Sequence, residues 1–204
     1  MLINDSYFTI EKKAEGVFRD RGSKFIGLAF PVISENEIKN ILSELKKEHP
    51  SANHFCYAYH LGADKQNFRA NDDGEPSGSA GKPILGQLQS KDLTNVLLVV
   101  VRYFGGTLLG VPGLINAYKQ AAMEALQVAQ IIEKHIQYNY HTFFSFERMN
   151  DVMRLLKENE AKIINQEFTE TCKIEFQIKK KDAEKLEKQF AKFFDVKLKS
   201  LNTN

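Results

Sequence analysis

The chain lacks any run of about eighteen apolar residues, the length that a membrane-spanning helix needs. It also lacks a charged n-region followed by an apolar h-region, so the sequence predicts no secretory signal. Charge of one sign is not in excess either, since lysine and arginine number 28 and aspartate and glutamate number 26. No overall field therefore directs the chain to DNA or anionic membranes, and any nucleic-acid contact must be local. We expect a cytoplasmic protein without membrane contact.

Cysteine is scarce in this chain. The two cysteines, Cys56 and Cys172, lie far apart, and Cys56 falls in a run with strand-like alternation. We expect a buried free thiol there rather than a disulfide, because free cysteine is among the most buried residue types. The 204 residues do include 43 % apolar and 11 % aromatic side chains. This composition can form a real core, in one large domain or two small ones.

Glycine is concentrated in two segments. The first glycine-rich segment, residues 71–85, reads NDDGEPSGSAGKPIL, and the second glycine-rich segment, residues 102–118, reads RYFGGTLLGVPGLINAY. Glycine permits positive φ angles and lets other atoms approach the backbone closely, so both segments are typical of loops in which backbone shape matters. Function is therefore expected in these two segments.

The first part of the chain predicts helices lying on a sheet. Ser34 followed by Glu37 is a capping-box pattern, which predicts an amphipathic helix that Pro50 stops. Residues 96–104 are continuously apolar and β-branched, as is typical of a strand buried on both faces at the centre of a sheet. Pro112 suits a first helical turn, and the alanines after it favour a closely packed helix. The other predicted strands span residues 8–18, 24–32 and 54–61.

The pattern changes beyond residue 134. The sequence predicts strands over residues 136–146, 162–168, 171–178 and 196–201, and helices over residues 151–159 and 182–194. The order βαββαβ is that of the ferredoxin-like split unit. We therefore predict an α+β protein of two domains, residues 1–134 and residues 135–204.

Nucleotide and metal motifs do not fit the first glycine-rich segment. The pair Gly81-Lys82 lacks the upstream glycine of a phosphate-binding P-loop. Asp72, Asp73 and Glu75 could attract a hard cation, but no further ligand stands at the offsets of a calcium loop. Turn-forming acids are the preferred interpretation, and neither a metal nor another cofactor is predicted.

One catalytic alternative stays open. Ser77 and Ser79 lack the flanking glycines of a nucleophile elbow. Either serine could still form a Ser-Lys dyad with Lys119 if burial lowered the pKa of that lysine. The serine stretch is loosely similar to the serine segment of the Lon protease catalytic domain. This alternative predicts a hydrolase.

A non-catalytic interpretation uses the backbone itself. Gly105-Gly106 and the helix start near Gly113 expose N–H groups that can bind an anion, and Arg102 and Lys82 can add charge. Such a site suits phosphate. In a purely structural alternative, the glycines only let the two segments and the alanine-rich helix pack tightly.

A second basic surface lies near the end of the chain. Four lysines recur there at spacings of four, three and four, which places them on one helix face. Nearby glutamates make a solvated helix face the alternative interpretation. The lysines are Lys181, Lys185, Lys188 and Lys192.

Both glycine-rich segments resemble a known family. The strings DDGEPSGSAGKPIL and VVVRYFGGTLLGVPGLINAY, with RGSKF upstream and HFCYAY between, resemble the IMPACT/YigZ family of translation-associated proteins over roughly residues 15–130. The resemblance implies an N-terminal domain of the ribosomal protein S5 domain 2-like type and a C-terminal ferredoxin-like domain. A similar pair of folds ends elongation factor G, which suggests contact with RNA or the ribosome. Eukaryotic relatives of the first domain regulate translation initiation.

The leading hypothesis is a non-enzymatic, translation-associated regulator that binds RNA, the ribosome or a translation factor. Binding is expected on the face that bears both glycine-rich segments. A protein–protein adaptor without nucleic-acid contact and the Ser-Lys hydrolase are the alternatives. The residues expected at the binding face are Lys24, His54, Asp72, Asp73, Gly74, Glu75, Pro76, Ser77, Gly78, Ser79, Gly81, Lys82, Arg102, Tyr103, Gly105, Gly106, Gly110 and Gly113.

Overall fold

The computed structural model describes residues 5–201. They form two compact units: residues 7–134 make the larger unit, and residues 135–201 with residues 5–6 make the smaller unit. Within residues 5–201, no helix is both long and apolar enough to cross a membrane. Cys56 is a buried free thiol, as the sequence predicted, and Cys172 is also free and buried.

The larger unit is built on a five-stranded antiparallel sheet ordered β2-β3-β6-β4-β5. A separate two-stranded sheet pairs β1 with β7. Three helices connect these strands. The elements are β1 Ser6–Ile10, β2 Ala14–Asp20, β3 Ser23–Pro31, α1 Glu35–Glu48, β4 His54–Leu61, β5 Asn67–Asn71, α2 Gly81–Ser90, β6 Val96–Tyr103, α3 Gly110–Val128 and β7 Ile131–His135.

Strand β6 is the centre of the sheet, as its apolar run predicted. It pairs with β3 on one side and β4 on the other, and every residue from Val96 to Arg102 is buried. Helices cover both faces. Even-numbered residues such as Val100 pack with α2 and α3, and odd-numbered residues such as Val99 pack with α1. This alternation of even and odd positions decides which side of the sheet each side chain at the end of β6 faces.

Helix α1 begins at the predicted cap. Ser34 Oγ accepts a hydrogen bond from the backbone N–H of Glu37 at 3.3 Å. The Glu37 carboxylate in turn accepts from the backbone N–H of Ile33 at 2.9 Å, one residue earlier than the usual capping box. Ile38 and Leu45 are buried and hold the helix on the sheet.

Helix α3 lies directly against β2 and β3. A Cβ atom at Gly27 would stand 2.1 Å from the carbonyl oxygen of Ala121, and one at Gly16 would stand 2.5 Å from the backbone nitrogen of Ala125. No larger residue fits between helix and sheet at these points. The close packing predicted from the alanines is confirmed.

Two predictions for the larger unit were wrong. The single strand expected over residues 8–18 is divided into β1 and β2, because the exposed, charged residues 11–13 separate two strands that belong to different sheets. The first glycine-rich segment was expected to be a loop throughout. Its first residue instead ends β5, and α2 begins at Gly81. The polar composition of β5 and the glycine and proline in α2 concealed both elements.

The smaller unit contains four strands and two helices in the predicted order. Its sheet is ordered β11-β8-β10-β9, with every neighbouring pair antiparallel. If the four strands are numbered along the chain within this unit, their order across the sheet is therefore fourth, first, third, second. The elements are β8 Gln137–Phe144, a 3₁₀ turn Phe146–Arg148, α4 Met149–Glu158, β9 Lys162–Phe168, β10 Cys172–Lys179, α5 Lys180–Phe190 and β11 Lys197–Ser200.

Both helices of the smaller unit cover the same face of its sheet. Leu156 of α4 and Leu186 of α5 are buried in one core with Ile174 and Phe176 of β10. Helix α5 ends at Phe190, four residues earlier than predicted, so Lys192 lies beyond it. The opposite face of the sheet receives no helix of this unit.

Candidate functional site

The two glycine-rich segments meet at a cleft of about 470 Å³ in the larger unit. We call it the loop cleft. Glu75 and Pro76 of the first segment form one side, and residues 104 and 108–111 of the second segment form the other. Arg102 and Leu114 complete the second side, and residues 53–54 complete the lining.

Arg102 enters the floor of the loop cleft from the end of β6. Its even-numbered position places it on the α2 and α3 side, between its strand partners Phe25 and His54. The guanidinium lies over the rings of Phe25 and Phe104, with centroids 5.4 and 5.6 Å away. Only 5 % of Arg102 is exposed, so its charge needs a partner inside the protein.

That partner is Glu75. Its Oε1 atom accepts hydrogen bonds from Arg102 Nη1 at 2.5 Å and from Tyr118 Oη at 2.7 Å. Only 4 % of the Glu75 side chain is exposed. The cluster ties the first glycine-rich segment to both ends of the second. One donor is left over, because Arg102 Nε is buried without an acceptor among residues 5–201.

His54 forms the edge of this polar floor. Its Nδ1 atom lies 2.8 Å from the carbonyl oxygen of Asp73, which can only accept, so Nδ1 carries a proton. Its Nε2 atom lies 3.8 Å from Glu75 Oε1. A second proton on His54 would therefore face the Glu75 carboxylate.

Cys56 and Tyr118 lie beneath the floor and stay protonated at neutral pH. Burial raises the pKa of the Cys56 thiol, and the nearby carboxylates add to this effect, although a hydrogen bond with Tyr118 opposes it. Burial also raises the pKa of Tyr118, together with its neighbours Cys56 and Glu75. Neither group supplies an anionic nucleophile in this environment.

The Asp72 carboxylate occupies three backbone donors of the first glycine-rich segment. Its Oδ2 atom accepts from Gly78 N at 2.9 Å, and its Oδ1 atom accepts from Ala80 N at 3.0 Å and Gly81 N at 2.8 Å. Burial alone would raise the pKa of Asp72, but these three bonds and the charge of Lys82 lower it overall. The chain itself thus supplies the anion at the start of α2.

Two parts of the second glycine-rich segment differ in how their backbone N–H groups are used. Gly105 N donates to Ser23 Oγ at 3.1 Å, and a Cβ atom at Gly105 would stand 1.9 Å from the carbonyl carbon of Gly22. Gly105 therefore serves packing. The N-terminus of α3 has no side-chain cap and no acidic residue in its first turn, and Gly110 and Val111 border the cleft there.

Apolar side chains dominate the walls of the loop cleft. Leu108 is 82 % exposed, and Phe104 and Val111 are also exposed although all three are apolar. Leu114 and Pro76 continue the same surface. Adjoining exposed apolar residues of this kind mark interaction sites more often than scattered ones do.

The structure separates the residues that were expected to act together. His54, Glu75, Pro76, Arg102 and Gly110 line the loop cleft. Lys24 and Tyr103 pair with each other across β3 and β6, at positions that face α1 on the opposite side of the sheet. Four further residues are used in contacts within the larger unit: Asp72, Asp73, Gly78 and Gly81. The Asp72 carboxylate accepts from Gly78 N and Gly81 N. Asp73 accepts from Phe55 N at 2.6 Å, and Gly81 packs against Asn71.

The remaining predicted residues lie at the surface or inside their own segment. Gly74 adopts a φ of 88° next to His54, and Gly106 adopts a φ of 85° with open space around it. Lys82 is exposed at the first turn of α2. In the smaller unit, Lys181, Lys185, Lys188 and Lys192 are all exposed, and Lys188 forms an ion pair with Glu184 at 2.5 Å.

The Ser-Lys arrangement is not assembled in this structure. Ser79 is buried and donates to the carbonyl oxygen of Pro76 at 2.6 Å. Ser77 and Lys119 are exposed, and within the described part of the chain no hydrogen bond joins Lys119 to either serine. The desolvated lysine that such a dyad requires is therefore missing here. The described residues also contain no group of three His, Cys, Asp or Glu placed to hold a metal ion.

The residues of the site that sequence reasoning missed include Phe104, Leu108, Val111 and Tyr118. A signal for the first three was present, because large apolar residues inside a glycine-rich loop have no role in forming a turn. Tyr118 gave no such signal. Its hydroxyl reaches Glu75 only because α3 packs above the first segment.

Comparison with known proteins places this site in a family context. Residues 21–126 match the family model described as Impact N-terminal domain. IMPACT family member YvyE from Bacillus subtilis (strain 168) is 33 % identical over 177 residues, covering 87 % of this chain and 82 % of that protein. IMPACT family member YigZ from Escherichia coli (strain K12) is 35 % identical over 148 residues, covering 72 % of each. A crystal structure described as that of a hypothetical protein has a TM-score of 0.78 and 28 % identity, covering 98 % of this chain and 99 % of that one.

Proposed function

Because the chain belongs to the IMPACT family, we propose that it is a cytoplasmic, translation-associated regulator that binds a protein partner at the loop cleft without catalysis. The link to translation rests on the family resemblance of both glycine-rich segments. The matched residues 21–126 include the whole lining of the cleft. The partner is a translation factor or a protein of the ribosome.

We assign each unit to a fold on related grounds. Family membership supports an S5 domain 2-like fold for residues 1–134. The strand order fourth, first, third, second, with the element order βαββαβ, supports a ferredoxin-like fold for residues 135–204. The division of the compact units between residues 134 and 135 supports this boundary, whereas residues 5–6 join the smaller unit.

The observation that carries the proposal is the closed polar floor beneath apolar walls. Glu75 already neutralises Arg102, and Tyr118 already donates to Glu75. A catalytic group would need an accessible reactive atom, whereas these groups hold one another and the shape of the cleft. Apolar walls at Leu108 and Val111 can bury a side chain of a partner.

A protein partner suits this cleft better than RNA. RNA binding relies on exposed cations and free backbone donors that contact phosphates. Arg102 is paired with Glu75, and the Asp72 carboxylate occupies three backbone donors of the first glycine-rich segment. What is available is an apolar cleft bordered by the uncapped N-terminus of α3, which favours a carboxylate. The partner segment should therefore present a large apolar side chain close to an acidic residue.

The test compares two matched variants of the full chain. Leu108→Glu places a carboxylate on the rim of the cleft, and Ile33→Glu places one at an aliphatic residue of similar exposure, 76 %, elsewhere in the larger unit. Purified ribosomes and purified translation factors are each titrated with both variants and with the unmodified chain. We expect Leu108→Glu to weaken binding about 10- to 30-fold, the effect of losing one buried leucine side chain, and Ile33→Glu to leave it unchanged.

Two outcomes would contradict the proposal. Equal binding by both variants would remove the loop cleft from the contact. If the binding that Leu108→Glu weakens disappears after ribonuclease treatment and falls steeply with salt, RNA is the partner at the loop cleft instead. Leu108 and Ile33 are both largely exposed, so loss of folding should not confuse the comparison. Circular dichroism of each variant checks this point.

A further inference from the structure

The smaller unit has one sheet face that its helices leave open. Along β10, Cys172, Ile174, Phe176 and Ile178 are buried in the core with α4 and α5, and the residues between them point the other way. The strand registers extend this second set across the sheet. We call it the open sheet face. It comprises Gln137, Asn139, His141 and Phe143 of β8, Lys162, Asn165 and Glu167 of β9, Lys173, Glu175, Gln177 and Lys179 of β10, and Lys197 and Lys199 of β11.

Charge on the open sheet face is predominantly positive. Its five lysines face only two glutamates, Glu167 and Glu175. Glu167 lies 3.5 Å from the Lys173 ammonium group, and Glu175 lies 3.3 Å from the His141 ring. Lys197 and Lys199 on the edge strand are exposed and form no ion pair within residues 5–201. The charge of these two lysines therefore lies beside β8.

Two aromatic side chains lie next to these lysines. Phe143 and His141 are alternate residues of the central strand β8, with ring centroids 6.1 Å apart and planes at 89°. Lys197 is the register partner of Phe143, and Lys199 is that of His141. The His141 side chain is 21 % exposed.

We propose that the open sheet face binds single-stranded RNA. Unpaired bases stack on aromatic side chains of an open four-stranded sheet, while adjacent cations hold the phosphates. The pairing of each ring with a lysine on the neighbouring strand supplies both contacts at the same point. Gln137 and Gln177 add amide groups that can bond base edges and the ribose 2′-hydroxyl, the group that distinguishes RNA from DNA.

The lysines on α5 and just beyond it provide a matched control. Lys181, Lys185, Lys188 and Lys192 are exposed like those of β11, but Glu184 pairs with Lys188, and none of the four lies over an aromatic ring of residues 5–201. A purely electrostatic attraction would use both surfaces. A stacking platform would use the open sheet face alone.

Fluorescence anisotropy of the full chain with a labelled single-stranded RNA of about 12 nucleotides tests the proposal. We expect Phe143→Leu, which keeps apolar bulk but removes the ring, to weaken binding about tenfold, and Phe143→Tyr to preserve it. The double change Lys197→Ala and Lys199→Ala should reduce the slope of log K against log salt by about 1.4. The double change Lys185→Ala and Lys192→Ala, which removes the same charge, should leave affinity within about twofold.

Each contrary outcome overturns the proposal. Equal losses from the β11 and α5 pairs would show general electrostatic attraction. Equal affinity for a double-stranded RNA of the same length would exclude stacking of unpaired bases, and equal affinity for the corresponding DNA would exclude RNA as the specific ligand. Absence of binding at low salt would remove nucleic acid altogether. Leu108→Glu should not change RNA affinity, so this test is independent of the proposed partner at the loop cleft.

Discussion

Arg102 at the end of β6 donates to the carboxylate of Glu75 in the first glycine-rich segment, 27 residues earlier in the chain, at 2.5 Å. Both side chains are almost fully buried. Tyr118 of α3 donates to the same oxygen, so a strand, a loop and a helix meet at one carboxylate. The position of each wall of the loop cleft depends on this junction.

The ion pair should matter most when only one partner is removed. Glu75→Leu leaves the Arg102 charge buried and unpaired, so we expect a loss of about 3–5 kcal/mol in the free energy of unfolding. The double variant Glu75→Leu and Arg102→Met removes both charges and should recover most of that loss. Urea unfolding of Glu75→Leu, Arg102→Met and the double variant measures the coupling free energy between the two side chains. Additive losses would show that the two groups act independently.

Asp72 should make the free energy of unfolding depend on pH in the acid range. Its pKa is lowered in the folded protein from the ordinary value of 3.8, so its contribution is fully present above that value and is lost as pH falls through the lower folded one. Asp72→Asn should lower the free energy of unfolding by about 2 kcal/mol at neutral pH. It should also reduce the fall of that free energy as the pH is lowered into the acid range. Urea unfolding from about pH 2 to 7 tests this, with the exposed Glu44→Gln as control. If the free energy of unfolding falls equally steeply with acid in Asp72→Asn, other groups cause the loss of stability at low pH.

The α3–β3 contact should reject even one methyl group. In Gly27→Ala the new Cβ would stand 2.1 Å from the carbonyl oxygen of Ala121, so the helix must move away from the sheet. We expect a loss of about 3 kcal/mol or more. Gly86→Ala in α2 is the control, because a Cβ there meets no heavy atom of the described chain within 4 Å and should stabilise by about 0.5–1 kcal/mol. Thermal unfolding of both variants distinguishes overpacking from a general intolerance of alanine.

Both native thiols should resist modification. Burial raises the pKa of Cys56, whose Sγ donates to the carbonyl oxygen of Asp72 at 3.0 Å, and Cys172 is also buried. We expect slow reaction with a thiol reagent at about pH 8 in the native state and fast reaction of two thiols in denaturant. Ser77→Cys, at an exposed position, should add one thiol that reacts at once. Rapid labelling of the unmodified native chain would show that the region opens readily.

Local patterns in the sequence predicted much of the fold. The uninterrupted apolar run of β6 predicted a central strand, and Ser34 predicted the start of α1. The order of strands and helices in the smaller unit was also predicted, because each element has its own periodicity. The ends of elements were less accurate. Helix α5 stops at Phe190 although the apolar spacing continues to Phe193, which still packs against the core.

The site was less predictable because it depends on contacts between distant residues. Lys24 and Tyr103 were grouped with Arg102, but the register and the alternation of β6 turn them to the other side of the sheet. No local pattern indicates that Glu75 would pair with Arg102 rather than face solvent. The backbone N–H groups expected to bind an anion were those of Gly105-Gly106 and of the helix start near Gly113, and no local pattern showed that Gly105 N would donate to the distant Ser23 Oγ instead.

The position of Asp72 has a consequence for selectivity. A phosphate group approaching the start of α2 must compete with a carboxylate that is attached to the same loop, at an effective concentration on the order of millimolar or higher. Free nucleotides and inorganic phosphate would thus be kept out by intramolecular competition. The loop retains the geometry of an anion receptor, yet it behaves as a permanently occupied one.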